Sequence, residues 1–216
     1  MSEGGIHRGV VIGRFQPFHN GHLLLTKQIL SECNEAIIVV GSAQQNYTIA
    51  NPFTAGERIL MIRKSLIEGG VDVSKIIIVP LIDIEDNAIW FPMLVSMLPP
   101  FDTIYSGNQL VISLASSYLE VRSPKFVRKK HYNGSYIRHR ILSGLKWSNL
   151  VSKSVFDIIC SIDGINRIRK IGKHENLEYR KLPYLQKGVL SINERQNKAA
   201  NMGYAGKPTK PRTSST

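Results

Sequence analysis

Ten residues near the N-terminus, Gly13-Arg14-Phe15-Gln16-Pro17-Phe18-His19-Asn20-Gly21-His22, carry the residue types and spacing of an anion site. They lie between an apolar run, Val10–Ile12, and an amphipathic stretch. Ligands of open parallel sheets bind at such junctions, where strand carboxyl ends meet helix N-termini. Gly13 lets a backbone approach a phosphate, and a helix opening near Asn20–Gly21 offers amides and a positive dipole end. His19 and His22 are three apart, so at a helix start both rings can face one anion. Arg14 adds a permanent charge. Neither histidine is expected in the core. Two histidines alone fit a plain strand–turn–helix joint with exposed imidazoles; the full string at a strand end is far more specific.

A second constellation, Asn133-Gly134-Ser135-Tyr136-Ile137-Arg138, follows an apolar run and opens a helix. Ser135 and the amides after it can hold phosphate oxygens, with Arg138 one turn on. A capped surface helix explains the same residues equally well.

The elements that must position these groups alternate along the chain. Strands are expected at Val10–Ile12, Ala36–Val40, Lys75–Pro80, Thr103–Tyr105 and Phe126–Val127. Helices are expected at roughly Gly21–Cys33, from Thr54 to about Glu68, Trp90–Leu98, from Asn108 to about Leu119, Ser135–Ser143 and Ser154–Ile162. Thr54-Ala55-Gly56-Glu57 reads as a capping box. Buried-type strands alternating with helices predict an α/β, Rossmann-like open parallel sheet with helices on both faces.

Composition narrows the class. The chain has 216 residues with 43% hydrophobic and 20% charged, which suits one soluble domain with an appendage. Its apolar runs fall far short of the roughly 18 residues of a membrane span, and no secretory signal is expected from MSEGGIHRG. Cys33 and Cys160 read as reduced structural thiols of a cytoplasmic protein. The net charge is +12, and half of it lies in Lys173–Thr216, where nine basic residues face three acidic ones. This basic extension carries one possible short element, Leu182–Leu190, and its end, Asn201–Thr216, has a disordered composition. One folded domain is therefore expected over 1–172 and the extension over 173–216. The run Arg122–Lys130 reads as the solvated rim of an edge strand, with a funnel for an anionic substrate as the alternative.

Seven ordered segments make the chain resemble the nucleotidyltransferases of the HxGH family, and within them the archaeal-type nicotinamide-nucleotide adenylyltransferases. They are GRFQPFHNGHL, GSAQ at Gly41–Gln44, NPFTAGER at Asn51–Arg58, DIEDNAIW at Asp83–Trp90, PPFDTIYSGN at Pro99–Asn108, YNGSYIRHRIL at Tyr132–Leu142 and GINRIRKI at Gly164–Ile171. The resemblance covers roughly Val10–Gly172.

It implies attack of a mononucleotide phosphate on the α-phosphorus of ATP. The products would be NAD from nicotinamide mononucleotide, and pyrophosphate. The attacking oxygen is already an anion, so positioning and charge neutralisation suffice. By the family pattern His19 and His22 contact the ATP phosphates, while Arg14 and Arg138 stabilise charge moving onto pyrophosphate. Gly13, Phe15, Gly21 and Ser135 lie on ATP, and Ser106-Gly107-Asn108 meets its adenosine part, although Asn108 also reads as a helix cap. Gly41, Ser42, Asp83 and Asn87 fall on the mononucleotide, and Trp90 stacks on its pyridinium ring; without the match, Trp90 reads as core. A divalent cation, Mg²⁺, comes with ATP and needs few protein ligands. A homo-oligomer, a hexamer, is implied as well.

The chain departs from the pattern at two places. Asn133-Gly134-Ser135 stands where relatives commonly have Ser-Gly-Thr, and Ala50 where many carry a charged residue; Arg58 is the candidate substitute. Acceptors other than nicotinamide mononucleotide, namely nicotinate mononucleotide, FMN or phosphopantetheine, fit the same fold. A nucleic-acid-binding protein with a basic arm is the alternative of a different class, but the positive residues are dispersed and no helix-turn-helix, RRM or zinc pattern appears.

Overall fold

Short runs of β-branched residues become strands when both faces of the sheet are covered, and the core divides by their alternation. A computed structural model of the chain describes residues 5–84, 86–125 and 131–174. The elements run β1 (Arg8–Gly13), α1 (Asn20–Glu32), β2 (Glu35–Val40), α2 (Ala55–Glu68), β3 (Ile76–Pro80) and α3 (Trp90–Met97). They continue with β4 (Thr103–Tyr105), α4 (Gln109–Ala115), β5 (Glu120–Arg122), α5 (Gly134–Leu142), α6 (Lys153–Ser161) and α7 (Gly164–His174). The sheet is parallel throughout, in the order β3-β2-β1-β4-β5. The expected α/β architecture is therefore present.

Val11, Ile38 and Val40 point into one core with Leu25 and Ile29 of α1, Met61, Ile62 and Leu66 of α2, and residues of α5, α6 and α7. Their neighbours Val10, Ile37 and Val39, with Ile104, point the other way, onto Phe91 and Leu94 of α3 and Ala115 of α4. Helices thus cover both faces. The chain leaves β1 toward β2 and β3, then crosses back to β4 on the other side. That reversal opens a crevice at the carboxyl end of β1, the place where such folds bind ligands.

The capping box at Thr54 forms as expected: Thr54 N–H donates to Glu57 Oε2 (2.9 Å), and Glu57 N–H donates to Thr54 Oγ1 (3.2 Å). Two expectations need correction. The helix from Asn108 stops at Ala115 rather than near Leu119, because Leu119 and Val121 turn into the second core as the fifth strand begins. That strand is Glu120–Arg122; its alternating polar residues hide it, as edge positions allow. Phe126–Val127 lies outside the described residues, as do residues 126–130 of the basic run, Leu182–Leu190 and the extension beyond His174. Helix α7 was not expected from periodicity. Of the two free cysteines, Cys33 is buried, 3.6 Å from the Tyr105 hydroxyl, whereas Cys160 is exposed and so is no part of the core.

Candidate active site

The loop from β1 to α1 is not a surface turn. Phe15, Gln16, Pro17, Phe18 and His19 are all buried. Gln16 pins the loop to the segment before α2: its Nε2 donates to Phe53 O (2.9 Å) and its Oε1 accepts from Phe53 N–H (3.0 Å). Phe15 has a φ of 50°, in the left-handed region, and its ring covers Gly13. A Cβ on Gly13 would lie 3.0 Å from that ring, so the small residue makes room for Phe15 itself.

His19 sits at the N-cap of α1, and His22 one turn in. Their rings stack, with centroids 3.5 Å apart and planes 14° from parallel. Phe15 and His22 meet in a T-shaped arrangement with ring centroids 4.7 Å apart, and the Phe18 centroid lies 5.2 Å from that of His22. The expectation that neither histidine is in the core is overturned for His19, which is only 5% exposed. Burial lowers the His19 pKa to about 4. Burial, then the neighbouring His19, holds His22 well below its ordinary value. At neutral pH both rings are therefore uncharged. His22 Nδ1 accepts the His19 backbone N–H (3.2 Å), which assigns the His22 proton to Nε2. Among the described residues, His19 Nδ1 is buried without a hydrogen-bond partner, an arrangement that costs free energy until something meets it.

The two rings border a cavity of about 260 Å³. Gly21, Leu24 and Leu25 of α1 line it, together with Pro124, Lys125, Tyr132, Asn133 and Gly134. Gly21 is required by crowding, since a Cβ there would come 2.7 Å from Tyr132 Cβ. The first and second constellations thus meet across one cavity. Pro124, Lys125 and Tyr132 are lining residues that sequence reasoning missed. Lys125 lies in the basic run weighed as a funnel, and its N–H is anchored on Gln28 Oε1 (2.9 Å).

On the α5 side, Asn133 Oδ1 accepts from Ser135 N–H (2.9 Å) and Tyr136 N–H (3.4 Å). Asn133 is therefore the cap, and these two amides are already engaged. Arg138 is buried; its Nη1 donates to Gln16 O (2.7 Å) and its Nη2 to Ser135 Oγ (3.1 Å). It ties α5 to the β1–α1 loop. Arg14 is exposed.

A separate group forms at the ends of β2 and β3. Asp83 Oδ1 accepts from Ser42 N–H (3.2 Å) and Ser42 Oγ (3.1 Å), and Oδ2 accepts from Gln45 Nε2 (3.1 Å). Gln45 Oε1 in turn accepts from Asn51 Nδ2 (2.7 Å). Gly41, Ser42 and Asp83 therefore come together. Asn87 is exposed, and Trp90, half-buried at the start of α3, packs on the second core. Beyond β4, Ser106 Oγ accepts from Asn108 N–H (3.1 Å), and Asn108 Oδ1 caps α4 by accepting from Leu110 N–H (3.0 Å); Gly107 between them is exposed.

Arg58 does not stand in for the charge missing at Ala50. It is fully buried and donates to four carbonyl oxygens: Arg14 (2.9 Å), Gly41 (2.8 Å), Ser42 (3.1 Å) and Thr54 (3.2 Å).

Residues 10–140 match the cytidylyltransferase-like family. The nicotinamide-nucleotide adenylyltransferase of Methanococcus vannielii is 44% identical over 174 residues, 80% of this chain and 99% of that protein. That of Methanolobus tindarius is 43% identical over 176 residues, 81% of this chain and 99% of its own length. The chain belongs to the cytidylyltransferase-like family, among the nicotinamide-nucleotide adenylyltransferases. A solved structure from Francisella tularensis, described as a bifunctional NMN adenylyltransferase/ADP ribose pyrophosphatase complexed with AMP and a manganese ion, superposes with a TM-score of 0.68. At 22% identity, over 80% of this chain and 53% of that one, it speaks for the cytidylyltransferase-like fold alone.

Proposed function

We propose that the protein transfers the AMP part of ATP to nicotinamide mononucleotide, giving NAD and pyrophosphate. The observation that carries this reading is the identity to named adenylyltransferases along nearly their whole length. The stacked His19–His22 pair at the mouth of α1 supports it from the side of the chemistry. A mononucleotide phosphate oxygen attacks the α-phosphorus, one P–O bond forms, and the bond to the β-phosphate oxygen breaks. The nucleophile is anionic, so no base is required and the site's task is to hold two anions in line. Neutral His22 offers its Nε2–H, and the N-terminus of α1 adds its dipole. Arg14, Arg138 and Lys125 supply positive charge around the leaving pyrophosphate.

Among the described residues no three His, Cys, Asp or Glu side chains converge on a point. The cavity's donors fit a triphosphate that brings its own cation, Mg²⁺, better than a cation caged by carboxylates. When bound, that cation shields the phosphate oxygens from the incoming nucleophile. On the other substrate, Asp83, Ser42 and Asn87 would address the ribose or carboxamide, and Trp90 the ring. Assembly into a homo-oligomer, a hexamer, belongs to the same proposal and is checked by sedimentation.

The test is pyrophosphate release from Mg-ATP, run with nicotinamide mononucleotide, nicotinate mononucleotide and FMN in parallel. NAD formation with the first is the expected result. Release with FMN alone would keep the chemistry and overturn the acceptor; no release with any would sink the reading.

A further inference from the structure

The segment NPFTAGER ends in Arg58, the largest side chain among those with no exposed surface, and nothing in the reaction as proposed calls on it. A buried guanidinium is costly unless its donors are met. Here the first turn of α2 lifts it under the ends of two strands, where its partners are carbonyls rather than a carboxylate. Burial lowers its pKa, while the field of Asp83 opposes that shift; at neutral pH it stays a cation.

The choice of carbonyls is informative. Arg14 O belongs to the peptide that leads directly into Phe15, and Ser42 O to the residue that follows Gly41. Phe15 and Ser42 both hold positive φ, 50° and 49°. Non-glycine residues persist there only where surrounding structure imposes it. One planar fork with Nη1 on Arg14 O and Gly41 O, and Nη2 on Ser42 O, grips both strained loops. The first loop leads to the histidine pair. The second carries Ser42, which holds Asp83.

We infer that Arg58 is a positioning residue that sets the distance between the triphosphate loop and the mononucleotide loop. The inference rests on the adenylyl-transfer reading above. A planar guanidinium can serve three carbonyls on two loops at once, whereas an ammonium is a point charge that follows one of them. Arg58→Lys therefore keeps charge and most of the stem but frees the loops to drift apart. Each nucleotide still meets its own loop; what suffers is the in-line approach of the two.

The experiment compares wild type with R58K, counting turnover per folded molecule by near-ultraviolet circular dichroism. Wild-type turnover is established first; its absence would defeat the adenylyl-transfer reading and this inference with it. With wild type active, R58K should lose about 10²-fold in kcat, the scale of an ångström-sized misplacement. Calorimetric affinities for ATP alone and for nicotinamide mononucleotide alone should stay within about a factor of three. A lower melting temperature with normal kcat per folded molecule would reduce Arg58 to a structural prop and overturn the inference. A selective loss of affinity for one nucleotide would overturn it too. Where R58K melts below the assay temperature, R58Q is measured in sucrose, which favours the compact state, with the same two outcomes.

Discussion

The loop after β1 and the segment after β3 both lie at strand ends, yet they are built oppositely. From Phe15 to His19 every side chain is buried, and Gln16, Arg138 and Arg58 hold the backbone from three sides. From Ile82 to Ile89 most of the described residues are exposed, including Asp83, Asn87 and Ala88. The first is tied by buried polar contacts, each expensive to lose. The second is anchored through Asp83 and little else among the described residues. The difference suits the tasks proposed for them: in-line transfer needs fixed geometry, whereas recognition of the acceptor's pyridine end can use a lightly supported rim.

If that contrast is right, the largest effect should come from the histidines. His22→Ala should reduce kcat by about 10²–10³-fold, as losing one preorganised donor does elsewhere. Because the rings are packed, it should also lower the melting temperature. Unchanged turnover in initial-rate assays would remove His22 from the chemistry. Next comes acid. The folded His19 pKa of about 4 lies below the ordinary 6.5, so between these values the unfolded chain binds more protons. Stability from this group is complete above pH 6.5 and is lost as pH falls toward 4, up to about 3 kcal/mol. His19→Gln should flatten urea-unfolding free energies across that window; an unaltered slope would place the acid sensitivity elsewhere.

Gln16→Ala should cost about 2–3 kcal/mol, since Phe53 then keeps a buried donor and acceptor unpaired. A melting curve that hardly moves would mean the loop is less tightly held than its contacts indicate. The smallest effect belongs to the exposed side. Trp90→Ala should weaken mononucleotide affinity by about tenfold, the scale of a desolvated cation–π contact, with ATP affinity little altered. Calorimetry showing the reverse selectivity would exchange the roles of the two regions.

Much of this was legible in residue order. The alternation of β-branched runs with amphipathic stretches foretold the parallel sheet, and Thr54 with Glu57 announced the start of α2. The histidine pair was visible because its spacing is local. What escaped were properties that depend on distant neighbours. Nothing around His19 in the sequence shows that Tyr132 and the start of α5 line the same cavity. Arg58 looks like any charged helix residue until four carbonyls from three segments converge on it. β5 was hidden because an edge strand needs only one apolar residue, Val121, to earn its place. Helix α7, by contrast, has Ile165, Ile168 and Ile171 at helical intervals and could have been found.

Strand β1 has a ladder on each side and a core on each face. Its amides should be among the last to exchange with deuterated water, since exposing them requires opening the whole sheet. The loop proposed to hold the triphosphate hangs from that strand, while the segment proposed to meet the acceptor leaves the sheet at β3, which is paired with β2 on one side only. As the protein begins to open, it should lose its grip on the mononucleotide while its hold on ATP is still intact.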